Sequence, residues 1–187
     1  MEIFVKACIL GISLVAALGV VSVAEAKEAK AVDLAAVANA AVQMDPTLAL
    51  PPGVRLIELF RLHNAKLNTH TSLFHMPQNW ESVGWRKEGT LGFMSTDPFE
   101  NSIMIFTCFS STPNDFFTST DRNCEGQHAP AEHLVGNISR VQIPGTVPLY
   151  RCVHKWQGKW RHYDTLNADC DGNSAATNDG ALGYVFM

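Results

Sequence analysis

Seven histidines, His63, His70, His75, His128, His133, His154 and His162, are the side chains of this 187-residue chain whose type invites metal or acid–base chemistry. Zinc sites favour close pairs such as His-x-x-x-His with a third partner nearby, and no such set stands in the sequence. His70 and His162 fall at equivalent places in a repeated pattern whose third member is Phe116. Interchange with phenylalanine points to packing under a hairpin, so no metal ligand is expected. Nucleophile signatures are missing as well: G-x-S-x-G, H-E-x-x-H and S-x-x-K do not occur. Glu81, Glu88, Asp115 and Asp164 could supply paired carboxylates for glycoside chemistry, but no spacing selects a pair. No catalytic residue is expected.

Two acidic segments, Asp121-x-Asn123-x-Glu125-Gly126 and Asn167-x-Asp169-x-Asp171-Gly172, place oxygen side chains at alternate positions before a glycine. That spacing resembles the first half of a calcium loop. Tight turns select the same residue types, and turn chemistry is the expected role. The expectation is no cofactor, with calcium as the alternative.

Trp156, Trp160 and Tyr163 lie close together, interleaved with Lys155, Lys159, Arg161 and His162. Aromatic rings beside hydrogen-bonding groups present a stacking surface for sugars, while a single tryptophan can equally plug a core. Trp85 is expected to fill the core. Trp156 and Trp160 are expected to stack on a ligand, with Lys155, Arg161 and Asp164 as hydrogen-bonding partners.

These residues sit on a repeat. Leu59-Phe60-Arg61-Leu62, Ile105-Phe106-Thr107-Cys108 and Leu149-Tyr150-Arg151-Cys152 each open a unit, at intervals of 46 and 44 residues. Gly92, Gly136 and Gly183, each beside apolar residues, close the units at intervals of 44 and 47. Such a period marks a supersecondary unit that buries its apolar face against its own copies. β-branched and aromatic runs bounded by Pro-Gly, Gln-Gly and Asn-Asp turns give each unit a strand, a turn and a return strand, then an irregular segment and a last strand. The fold class expected is all-β, with three units of about 44 residues in pseudo-threefold arrangement, either β-trefoil-like or β-prism-like. The unit boundaries fall near 54–100, 101–145 and 146–187.

Cys108 and Cys152 occupy one position of the unit, and Cys124 and Cys170 another, each of the latter followed by an acidic residue and glycine. The first unit lacks both members and carries Leu62 at the first position. Joint absence implies bonding within a unit, hence Cys108–Cys124 and Cys152–Cys170. Cys8, the fifth cysteine, lies in residues 1–26, where Lys6, an apolar run and Ala24-Glu25-Ala26 read as a secretory signal peptide. Its removal leaves thirteen basic against sixteen acidic groups, a net of −3. No basic footprint for nucleic acid is present, and no stable membrane insertion is expected after signal removal. Residues 27–53 are alanine-rich and end in Pro51-Pro52-Gly53, expected as a short helix or tether.

Val83-Gly84-Trp85-Arg86-Lys87-Glu88-Gly89-Thr90-Leu91-Gly92-Phe93 resembles the G-W-x-x-E-G-x-x-x-F/Y ending of a repeat of unknown function found in exported bacterial proteins. Val147-Pro148-Leu149-Tyr150-Arg151 is similar to the opening strand of that repeat, and Cys124-Glu125-Gly126 to its cysteine-bearing variant. The second unit departs from it, with His133 at the glycine position and no tryptophan. The resemblance implies a secreted or periplasmic module and no established activity. The functional expectation is a non-enzymatic module that binds carbohydrate or cell-surface polymer. A protein-binding module or inhibitor of an extracellular enzyme is the alternative, and a secreted hydrolase the third reading.

Overall fold

The computed structural model describes residues 49–187 apart from 113 and 132. The signal segment, and residues 27–48 of the alanine-rich segment, lie outside these residues. Nine strands form a single antiparallel sheet: β1 (Leu56–Asn64), β2 (Thr69–Leu73), β3 (Trp85–Ser95), β4 (Ser102–Ser110), β5 (Asp115–Ser119), β6 (Leu134–Ser139), β7 (Thr146–Trp156), β8 (Lys159–Thr165) and β9 (Ala176–Phe186). The domain is all-β, as its β-branched and aromatic runs imply. Three-residue turns, Glu81–Val83, Cys124–Gly126 and Cys170–Gly172, precede β3, β6 and β9. Among the described residues no helix is long and apolar enough to cross a membrane.

β1 pairs with β2 and β3, β4 with β5 and β6, and β7 with β8 and β9. β3, β6 and β9 then meet one another through single pairs, Phe93 with Phe186, Ser95 with Asn137 and Ser139 with Tyr184. Turn chemistry sets each hairpin register. Gln157-Gly158 joins β7 to β8 with φ of 48° and 76°, the doubly left-handed turn whose twist suits a two-residue hairpin. Asn64, buried at the end of β1, accepts from the Lys66 and Leu67 amides and donates to the Val83 carbonyl.

Bulges recur where the opening strands meet the closing ones. Leu59 pairs with Gly92 and Phe60 with Thr90; Ile105 with Gly136 and Phe106 with Leu134; Leu149 with Gly183 and Tyr150 with Ala181. A second shift leaves Glu88 and Asp179 unpaired, opposite Arg61 and Arg151. A bulge re-aims its extra side chain, and these two carboxylates turn toward those arginines. Gly92 and Gly183 are required by crossing backbone: a Cβ would stand 2.6 Å from the Phe186 and Ser139 carbonyl oxygens, respectively. Around these crossings Leu59, Ile105, Leu149, Met94, Ile138 and Val185 are wholly buried and form the apolar core.

The disulfides are Cys108–Cys124 and Cys152–Cys170. Leu62, also wholly buried, occupies the corresponding place in β1. Where β2, β5 and β8 pack together the interior is polar. The Thr69 hydroxyl donates to Asp115 Oδ1 at 2.6 Å, and the Asp115 Oδ2 receives the His162 amide at 2.9 Å. Thr118 and Ser72 hydroxyls donate to Asp164.

Candidate functional site

Strand alternation divides the residues singled out on the third hairpin between two faces. Lys155 pairs across with Trp160, and Trp156 with Lys159. Trp160 therefore shares a face with Lys155, Val153 and His162, while Trp156 shares the opposite face with His154 and Tyr163. The two tryptophans do not form one stacking surface. Trp160 is 51 % exposed, with the Lys155 ammonium 4.5 Å from its ring centroid. Trp156 is half-buried, and its ring lies 5.7 Å from the Arg161 guanidinium carbon.

Arg161 and Asp164 are interior residues, 4 % and 3 % exposed, which corrects their expected place at a ligand surface. Arg161 donates to main-chain carbonyls of Asn114 and Trp160. Burial pushes the Asp164 carboxyl up, and the hydroxyls of Ser72 and Thr118 offset this only in part. Trp85 is 4 % exposed and stacks on Trp80 at 4.6 Å, in the core as expected.

The Trp160 face borders a cleft of about 390 Å³ between the hairpins β4–β5 and β7–β8. Its walls are Phe117, Val153 and Trp160, with Ser110, Thr112, Glu125, Gln127, His162 and Asp179 as polar groups. Trp160 also borders a second groove lined by Ser111, Thr112, Gly158 and Lys159. Arg151 ties the cleft's two carboxylates together. Its Nη1 lies 2.6 Å from Glu125 Oε1, and its Nε donates to Asp179 Oδ2 at 2.7 Å. Burial would raise the Glu125 carboxyl, but hydrogen bonds from Arg151 and Ser119 outweigh it and hold the group below the usual carboxylate range.

A related cleft opens between the hairpins β1–β2 and β7–β8, lined by Arg61, His63, Asn68, His70, His154, Tyr163, Cys170, Asp171 and Asn173. The pair His63–His70 stands across its hairpin as Val153–His162 does across the third and Phe109–Phe116 across the second. Glu88 and Asp179 hold matching bulge positions, as do Asp171 and Glu125 in the turns. The first pair makes a histidine cleft and the second a tryptophan cleft. At the third pair aromatics fill the space: Phe116 lies 5.0 Å from Phe109 and 5.7 Å from Trp85.

In the histidine cleft the His63 and His70 rings stack at 4.3 Å. His63 Nδ1 lies 3.6 Å from Glu88 Oε1, and His70 Nε2 lies 3.5 Å from Glu88 Oε2. Burial, then the neighbouring His70, lower the His63 pKa. Burial works to raise Glu88, yet His70 and Arg61 overcome it and hold the carboxyl at about 2. The sequence pattern missed this group because it sought helical ligand spacing. A hairpin signal was present, since two histidines seven apart around a four-residue turn meet directly across the strands.

The acidic loops perform turn chemistry. Asp121 accepts from the Asn123 and Glu125 amides, and Asp171 accepts from Thr165, Asn167 and Arg61. In both turns cysteine, acidic residue and glycine all take positive φ: 53°, 54° and 80° from Cys124, and 58°, 59° and 72° from Cys170. L-residues are disfavoured there. Each left-handed turn points its carboxylate at an arginine of the preceding or following hairpin. Compared with protein-family models, with curated proteins and with solved structures, the chain returns no match.

Proposed function

We propose that this chain is an exported, disulfide-stapled, non-enzymatic module that binds carbohydrate in the tryptophan cleft. The observation that carries this reading is the exposed Trp160 ring at the junction of two grooves, one of them rimmed by carboxylate, amide and hydroxyl groups. Sugars are recognised by an apolar face laid on an aromatic ring and by hydroxyls paired with planar polar side chains. The cleft volume of about 390 Å³ lies within the range of small-ligand sites. Because Trp160 borders both grooves, a chain of at least two sugar units is the fitting ligand. Glu125, Gln127 and Asp179 take the hydrogen-bonding roles in place of the interior Arg161 and Asp164.

Binding is favoured over hydrolysis because both carboxylates of the cleft, Glu125 and Asp179, are engaged by the same guanidinium, that of Arg151. The matching order of strands, bulges and turns supports three copies of one unit in a trefoil-like arrangement, related to the exported bacterial repeat it resembles. Two disulfides suit an oxidising, extracellular compartment.

The test is retention of the oxidised domain on insoluble polysaccharide and cell-wall fractions, followed by titration with soluble oligosaccharides. Trp160→Ala should weaken binding by at least about fivefold, since one stacked ring contributes on the order of 1–3 kcal/mol. Trp156→Ala, on the opposite face, should leave it unchanged. Binding that survives Trp160→Ala would sink the assignment of the cleft.

A further inference from the structure

We propose that His63, His70 and Glu88 form a site for one divalent transition-metal ion, of which zinc is the representative. One imidazole nitrogen from each histidine and a Glu88 carboxylate oxygen all lie within 4.8 Å of one another. The two His–Glu separations, 3.6 and 3.5 Å, are too long for hydrogen bonds, although the rings face the carboxylate. The two distances run to different carboxylate oxygens, and the two rings are stacked 4.3 Å apart with 11° between their planes. A tetrahedral ion with bonds of about 2.0–2.1 Å needs ligand–ligand edges of about 3.3–3.4 Å, so binding turns the rings out of their stack until both nitrogens and Glu88 Oε1 converge.

The chain presents these groups from three strands rather than from one flexible loop. His63 and His70 stand directly opposite in β1 and β2, and Glu88 is the bulged residue of β3. Arg61 does not block the ion. Its Nε donates to Glu88 Oε2 at 2.7 Å, leaving Oε1 for the metal and orienting the carboxylate from outside, as partners of metal-bound carboxylates do. Asp171, 3.0 Å from Arg61 Nη1, offsets the guanidinium charge. The charges of Arg61, Glu88 and Asp171 sum to −1, a field that accepts a cation.

The sister cleft is an internal control. It keeps the carboxylate and one imidazole at the matching positions, Asp179 and His162, but has Val153 in place of His63. There the His162 Nδ1 is 2.8 Å from the interior Asp115. No ligand trio forms there, and among the described residues the trio is that of the first hairpin. Three protein ligands leave a fourth position open toward the cleft that His154 and Tyr163 border. Zinc with an open position can bind a hydroxyl or carboxylate of an incoming ligand.

The experiment is titration of the metal-free, oxidised protein with zinc by competition against a chromophoric chelator. One equivalent should bind at micromolar concentration or tighter. His63→Val and His70→Phe, which borrow the residues at the matching positions of the other hairpins, should each weaken binding by at least about tenfold. Absence of binding at micromolar zinc, or wild-type affinity in both variants, overturns the proposal. Zinc-edge X-ray absorption of the wild-type protein keeps the proposal testable if a variant misfolds. Two imidazoles with oxygen ligands are expected, and a signal with one imidazole or none overturns the site.

Discussion

Arg151 Nη1 lies 2.6 Å from Glu125 Oε1, binding the Cys124–Gly126 turn to the opening strand of the third hairpin. Arg61 binds Asp171 in the same manner at 3.0 Å, and each arginine also donates to a main-chain carbonyl of a neighbouring strand, Thr118 for Arg151 and Asp164 for Arg61. The arginine stems are largely covered, with side-chain exposure of 12 % and 21 %. Arg151→Met keeps the stem and removes the donors to Glu125, Asp179 and the Thr118 carbonyl, leaving Glu125 only the Ser119 hydroxyl. The carboxylates are part-exposed and can rehydrate, so the expected loss is about 2 kcal/mol, read from urea unfolding. An unchanged midpoint would show these bridges to be surface decoration.

The glycines divide by what surrounds them. Gly126 and Gly172 have positive φ but nothing within 4 Å of an added Cβ, so Gly→Ala at either should cost roughly 1 kcal/mol of backbone strain. Gly92 and Gly183 combine positive φ with a backbone carbonyl 2.6 Å from the added atom. Alanine there must separate crossing strands of the core, and the expected cost is at least about 3 kcal/mol. Equal thermal shifts for Gly126→Ala and Gly92→Ala would contradict this division.

Asp164 makes a prediction about pH. Its folded-state pKa is raised, chiefly by burial, so the protonated carboxyl is the form the native state favours. Its contribution to stability is fully present below the unfolded pKa, about 3.9, and is lost as pH rises through the folded value. Asp164→Asn removes this titration. The stability of the wild type relative to Asp164→Asn should therefore improve as pH falls toward about 4. A difference that stays flat or runs the other way in chemical unfolding across pH would show Asp164 to be solvated or fully paired.

The all-β class and both disulfides were legible because each depends on residues near in sequence. Cys108 and Cys124 are 16 residues apart, joined across one hairpin and the turn that follows it. What was not legible lies between hairpins. Arg161 and Asp164 look like surface partners of Trp160 until β2 and β5 cover them. Trp156 and Trp160 look like one platform until the two-residue turn at Gln157-Gly158 fixes a register that places them on opposite faces. His63 and His70 needed only the hairpin register to be brought together, but Glu88 joins them through a bulge that alternation does not foretell.

Each disulfide braces a different cleft, and this separates its structural from its functional share. The bridges close loops of sequence separation 16 and 18, so loss of either should cost about 3 kcal/mol in the chain-entropy description. Cys108→Ala with Cys124→Ala frees the left-handed turn that aims Glu125 into the tryptophan cleft. Cys152→Ala with Cys170→Ala frees Asp171, and with it the Cys170 carbonyl that receives the Tyr163 hydroxyl at 2.7 Å beside the histidines. Both double variants should melt lower by similar amounts. Only the first should weaken oligosaccharide binding beyond that common loss, and only the second should weaken zinc binding. Measuring both affinities well below each melting point distinguishes the cases, and parallel loss of both ligands in both variants would show the clefts to be coupled through the shared β7–β8 hairpin.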